Sequence, residues 1–195
     1  TSSAASDVYK RQGRETLLYA DSDILVYDKA ANSQSAPGYQ SRESLAKSAA
    51  KDFNLDRIDQ MIVHRLDHAT SGIIVFARNL DALKNLHTQF RQKKVRKHYD
   101  AIVDGVPPSF EGEIHLPIQR DMESRPRVRI GIDGRESLTS FTVQEISPDR
   151  SSSLLSLRPH TGRTHQLRIH LASIGHPILG DFFYAPTSVY LRSPR

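Results

Sequence analysis

The sequence predicts an α+β fold in which a large mixed or antiparallel sheet carries a few flanking helices. Three observations lead there. Short β-prone runs punctuated by Gly and Pro dominate the chain after Val95, helical spacing appears in only three segments, and 37% hydrophobic with 25% charged residues is the balance of a soluble globular protein. At 195 residues one domain fits without staples.

The elements follow in order. Residues 1–14 are small, polar and aperiodic and read as a disordered tail, with Ser6 to Gln12 resembling adapter read-through; the domain is expected over 15–195. Leu17–Ala20 and Ile24–Tyr27 read as strands joined by the bend Asp21-Ser22-Asp23, and Asn32–Tyr39 as loop. Ser41–Phe53 has helical spacing through Leu45, Ala46, Ala49 and Phe53. Met61–His64 and Gly72–Ala77 read as strands flanking a turn, and Asp81–Gln92 as an amphipathic helix with Leu83, Leu86 and Phe90 inward. Five strands are expected next, Tyr99–Val103, Glu113–Ile118, Val128–Ile132, Thr139–Ile146 and Leu154–Leu157. A last helix is capped by Thr164, buries Leu167, Leu171 and Ile174, and stops at Gly175 and Pro177.

Composition narrows the function. The absence of cysteine excludes disulfides, thiolate zinc sites and a cysteine nucleophile, and fits a cytoplasmic location. No apolar run approaches the ~20 residues of a membrane span, and residues 1–15 hold no signal-peptide core. A formal charge of +5 suggests a polyanionic partner, and its distribution says more. Lys84, Arg91, Lys93, Lys94, Arg96 and Lys97 form one acid-free block, Arg158, Arg163 and Arg168 with three histidines a second, and Arg125, Arg127 and Arg129 a third. One such block is an ordinary solvated face; three in a small chain favour a phosphate-binding surface.

Two stretches carry chemistry. In His64-Arg65-Leu66-Asp67-His68-Ala69-Thr70-Ser71-Gly72, a carboxylate beside arginine stays ionised and can act as nucleophile or base, though the same Asp could simply cap a turn. In Arg158 to His170, Arg163 lies at a strand-to-helix turn and Arg168 one turn into the helix, an arrangement that holds a phosphate and aims a guanidinium at a carboxylate, or leaves both arginines in water. His160, His165 and His170 do not converge, because five residues on a helix fall about 140° past a full turn, so no metal site is expected. Tyr99 opens a strand after the Lys93–His98 run and is either a half-buried strand tyrosine or a stacking platform for an extruded base.

Four ordered blocks resemble the RluA family of pseudouridine synthases: His64-Arg65-Leu66-Asp67 with Thr70-Ser71-Gly72, Lys97-x-Tyr99-x-Ala101, Thr161 to Arg168 with His170-Leu171, and Gly175 to Asp181. The resemblance covers Leu17 to Tyr184 and implies the pseudouridine synthase catalytic fold and an isomerisation of uridine that needs no cofactor. It makes Asp67 the catalytic aspartate, Tyr99 the residue that stacks on uracil and assists loss of the C5 proton, and Arg168 the partner of the aspartate. Arg65 fills the gap left by the extruded uridine. With it, His64, Thr70, Lys93, Lys94, Arg96, Lys97, Arg163 and His165 are the expected RNA contacts.

The partner implied is structured RNA, a tRNA anticodon stem-loop or a hairpin of large-subunit rRNA, bound by a monomer without a membrane. With the expected tail 1–14 set aside, residues 15–63 precede His64, and no added S4 domain is expected there. Where the family has Asn-Lys-Pro this chain has Asp28-Lys29-Ala30, and its end at Arg195 suggests that C-terminal strands are missing. An RNA-binding module without activity is the chief rival, opposed by the intact Asp67, Tyr99 and Arg168. A phosphoesterase built on His68-Ala69-Thr70 lacks its second motif, and a serine hydrolase lacks its Gly-x-Ser-x-Gly elbow.

Overall fold

A computed structural model describes residues 15–38, 43–57 and 60–192. The expected tail, residues 1–14, lies outside the described residues, as do Tyr39 and the first residues of the Ser41–Phe53 segment. The chain divides into two compact units between Lys94 and Val95.

In the first unit, β1 (Thr16–Ala20), β2 (Ile24–Lys29) and β3 (Gly72–Ala77) form an antiparallel sheet in the order β1-β2-β3. The Asp21 side chain closes the β1-β2 bend by accepting the amides of Asp23 and Ile24, each at 2.8 Å. Alternation in β2 sends Leu25, Tyr27 and Lys29 inward, where Tyr27 meets Phe76 of β3 edge-on at 6.1 Å between centroids. Helix α1 (Leu45–Asp52) starts where the Ser44 hydroxyl accepts the Lys47 amide at 3.2 Å and buries Leu45, Ala46, Ala49 and Ala50. Helix α2 (Leu80–Arg91) is capped by Asn79, which accepts the Ala82 amide at 2.8 Å. Its Leu83, Leu86 and Phe90 are half-buried and none of its residues is fully buried.

Met61–His64 is not the strand its sequence suggests. Ile62 makes one isolated bridge to Phe76, and Ala77 donates its amide to Met61 at 2.9 Å. Pairing then stops, because the Val75 amide donates to Nε2 of His64 at 3.1 Å. A side chain has taken a ladder donor.

The second unit holds β4 (Tyr99–Asp104), β5 (Glu111–His115), β8 (Leu138–Ile146) and β9 (Ser152–Pro159) as an antiparallel sheet in the order β4-β9-β8-β5. A separate ribbon pairs β6 (Ile118–Arg120) with β7 (Val128–Ile130). The run read as one strand over Glu113–Ile118 is thus two, broken at Pro117, which has no amide to give a ladder. Among the described residues every sheet is antiparallel, one in the first unit and two in the second. Val103, Ile114, Phe141, Leu155 and Leu157 make the core with Leu171 of helix α3 (Gln166–Ser173). The outer edge of β4 is covered by the segment around Ile178, with Asp104 donating to Pro177 and Leu179 to Ile102, both at 2.9 Å. A short helix α4 (Thr187–Tyr190) follows.

Helix α3 starts one residue later than its sequence suggests. His165, not Thr164, is the N-cap, with φ 51° and no side-chain cap bond. Gln166 instead braces the turn that leads into the helix: its buried Oε1 accepts from Thr161 Oγ1 at 2.7 Å and from the Arg163 amide at 3.0 Å. Arg168 therefore sits in the first turn rather than one turn in. Leu171 is fully buried, and Leu167 and Ile174 pack partly against the same core.

Candidate active site

In the first unit the residues around Asp67 form no regular element, so their geometry depends on what holds the backbone. Ser35 supplies the first anchor. Its buried hydroxyl donates to the Leu66 carbonyl at 2.8 Å and accepts the Leu66 amide at 3.1 Å, fixing the peptide groups on both sides of the buried Leu66. Lys29 supplies the second. Its ammonium donates to the carbonyls of Ala30 and Ser33 at 2.8 Å and of His68 at 3.3 Å, with the residue 0% exposed. Burial lowers the Lys29 pKa, while the charges of Glu15 and Asp67 act to raise it. A buried cation therefore lies within electrostatic reach of the Asp67 carboxylate.

The turn itself closes with the Thr70 amide on the Asp67 carbonyl at 3.1 Å, and Gly72 leaves it at φ 122°, where a Cβ would be strained. Asp67 and Thr70 are half-buried and Arg65 is exposed. His64, besides accepting the Val75 amide, stacks on Phe90 of α2 at 5.1 Å. Since Nε2 accepts, the neutral ring carries its proton on Nδ1. Lys93 and Lys94 follow α2 and are exposed, and Lys94 lines a recess along that helix with Lys84, Asn85, Thr88, Gln89 and Gln92.

In the second unit Tyr99 stands at the start of β4, opposite Leu157 of β9, half-buried and packed partly against the core. Arg96 is exposed. Lys97 donates to the Thr161 carbonyl at 3.0 Å, and burial lowers its pKa. Arg163 turns back over the Glu136 carbonyl, which it contacts through Nε and Nη2 at 3.3 Å.

Arg168 meets a carboxylate in its own unit, Asp181. Nε donates to Oδ2 and Nη2 to Oδ1, both at 2.7 Å, with the two side chains 16% and 3% exposed. Burial alone would raise the Asp181 pKa; the Arg168 hydrogen bond and charge and the amides of Phe183 and Tyr184 outweigh it and hold the carboxyl below its ordinary value. The rings of Phe183 and Tyr184 each lie 5.1 Å from the guanidinium carbon.

Tyr184 is anchored in turn. Its hydroxyl accepts the Val128 amide at 2.9 Å and sits 2.8 Å from Nδ1 of His165. The three spaced histidines take separate partners. His160 meets Ser140 at 2.7 Å, His165 meets Tyr184, and buried His170 bridges Thr139 and the Leu116 carbonyl, each at 3.0 Å.

Four residues of this framework escape a sequence reading: Lys29, Ser35, Asp181 and Tyr184. Asp181 has a signal as the one acid in the Gly175–Asp181 block, and Lys29 as the lysine kept where the family has Asn-Lys-Pro.

Residues 23–173 match the family model described as RNA pseudouridylate synthase. The chain is 40% identical over 182 residues to the dual-specificity RNA pseudouridine synthase RluA of Haemophilus influenzae, covering 92% of this chain and 81% of that protein. It is 37% identical to the protein of the same name from Escherichia coli K12, with the same coverage. Among solved structures, human RNA pseudouridylate synthase domain containing 1 superposes with a TM-score of 0.75 at 29% identity, over 91% of this chain and 72% of that one. Human RNA pseudouridylate synthase domain containing 4 does so with a TM-score of 0.71 at 27% identity, over 89% and 70%.

The chain belongs to the RNA pseudouridylate synthase family. It is an isomerase that converts uridine to pseudouridine in RNA. Among the described residues no helix is long and apolar enough to cross a membrane.

Proposed function

We propose that this synthase acts in the cytoplasm on uridines of a tRNA anticodon stem-loop and of a large-subunit rRNA hairpin, with Asp67, Tyr99 and Arg168 as its catalytic residues. The observation that carries the reading is that all three fall within the family match at residues 23–173, Asp67 beside an anchored peptide, Tyr99 on a paired strand and Arg168 with its side chain clasped. The dual-specificity name of its relatives supports two RNA classes.

Asp67 either attacks the ribose carbon released from uracil N1 or promotes loss of a sugar proton. The buried Lys29 ammonium lies within electrostatic reach of its carboxylate. Tyr99 offers a ring for stacking and a hydroxyl for the C5 proton. Arg65, exposed on the anchored turn, has the length and planar head to occupy the space an extruded base leaves. His64 acts chiefly by holding the turn to β3. Thr70, His165, Arg163 and the exposed Lys93, Lys94 and Arg96 contribute RNA contacts; Lys97 works by fixing the Thr161 turn.

The test is tritium release from RNA labelled at uridine C5, with an anticodon stem-loop and an rRNA hairpin supplied separately. Release from both is expected. Release from one alone contradicts the dual target, and binding without release from either contradicts the assignment of catalysis to this chain.

A further inference from the structure

Asp181, Phe183 and Tyr184 surround one guanidinium from three sides. Side-on pairing takes up the Nε–H and one Nη2–H of Arg168, two of the five donors that an arginine carries. The remaining donors sit on Nη1 and on the far side of Nη2, so the pairing dictates which edge of the guanidinium can address another acceptor. The carboxylate is rigid in its own right, because Oδ1 also accepts the Phe183 amide at 2.8 Å and the Tyr184 amide at 3.2 Å. The Ala185 amide closes the turn on the Asp181 carbonyl at 3.2 Å. The two rings fix the guanidinium plane, and Tyr184 is held by Val128 and His165.

We infer that Asp181 is a positioning residue for the reaction, a buried anion that fixes the rotation of the Arg168 guanidinium and so the edge it presents to the reacting group. This rests on the proposed role of Arg168. The chemistry distinguishes a positioning role from a purely structural one. Asn at 181 keeps an oxygen for the Phe183 and Tyr184 amides, so the turn survives, but it sets an NH2 against the Arg168 Nε–H and removes the charge. The fold should persist while the guanidinium loses its reference.

The experiment is single-turnover tritium release, with RNA affinity measured alongside, for wild type, Asp181→Asn, Arg168→Lys and the double variant. Asp181→Asn should lower the rate about tenfold to a hundredfold, as a misoriented group does, and leave RNA affinity within about twofold. Because Lys cannot make the side-on pair, Asp181→Asn should change the rate by less than about twofold in the Arg168→Lys background. Independent, multiplying losses in the double variant overturn the inference, as does an unchanged rate in Asp181→Asn beside an impaired Arg168→Lys. A fully active Arg168→Lys removes the role of Arg168 itself, and the inference with it. Should Asp181→Asn fold poorly, the wild-type protein decides the point by nitrogen-15 NMR: a slowly exchanging Arg168 Nε–H is expected, and rapid exchange contradicts the clasp.

Discussion

The turn that carries Asp67 and the clasp that carries Arg168 are anchored at different points of the chain. Around Asp67 the backbone is held: Ser35 grips both polar groups of Leu66, and Lys29 ties down the His68 carbonyl. At Arg168 the side chain itself is held, by two charge-assisted hydrogen bonds and two rings, on a helix seated by fully buried Leu171. A carboxylate meant to react has to return to one place, which a fixed backbone ensures, and a guanidinium meant to stabilise charge has to keep one orientation, which a held head ensures. The contrast predicts that the two regions fail differently.

The largest loss of stability should come from Leu171→Ala, which opens a cavity beneath α3 in the second unit's core. It is expected to cost about 2–5 kcal/mol in denaturant unfolding. A cost below about 1 kcal/mol would show that α3 is seated by its polar bonds instead. Ser35→Ala removes both anchors of Leu66 and leaves a buried amide and carbonyl unmatched, at about 1–3 kcal/mol. Turnover should fall as well, since Asp67 is the next residue. Stability lost without any loss of turnover would mean that the turn does not depend on Ser35.

A smaller and pH-dependent effect is expected at His170. Burial holds its pKa below the ordinary 6.5, more than the Leu116 carbonyl raises it, with the His115 charge adding to the lowering. The unfolded chain then binds a proton before the folded one does, so stability falls as pH drops below about 6.5 and levels off under the folded-state pKa. Unfolding free energies measured between pH 8 and pH 5 should show this slope in wild type and a weaker one in His170→Gln. An identical slope in both assigns it to other groups. The smallest effect belongs to exposed Lys94: Lys94→Gln should weaken RNA binding uniformly, and the salt dependence of binding should drop by about one counterion.

How much of this was legible in the sequence follows from the range of the interactions. Strand β3 is read to the residue, because an apolar run beside a Gly with positive φ is a local signal. Amphipathic α2 is read to within one residue. Met61–His64 misleads because Met61 and Val63 alternate like a strand while His64 intercepts the Val75 amide, an event eleven residues away. Thr164 looks like a cap by type, but the helix begins after His165 in the left-handed region, and Gln166 braces the turn before it through the Arg163 amide. The site divides the same way. The reactive types at Asp67, Tyr99 and Arg168 stand out in ordered blocks, whereas Ser35 lies 31 residues from Leu66 and Asp181 lies 13 from Arg168, separations with no periodicity to betray them.

The most direct measurement compares wild type with Asp67→Asn at saturating RNA, an exchange that keeps the side chain's size and removes its charge. Tritium release from uridine C5 is expected to fall by at least about a hundredfold while RNA affinity stays within about twofold. Release by Asp67→Asn at a rate near that of wild type would mean that this carboxylate does not perform the chemistry.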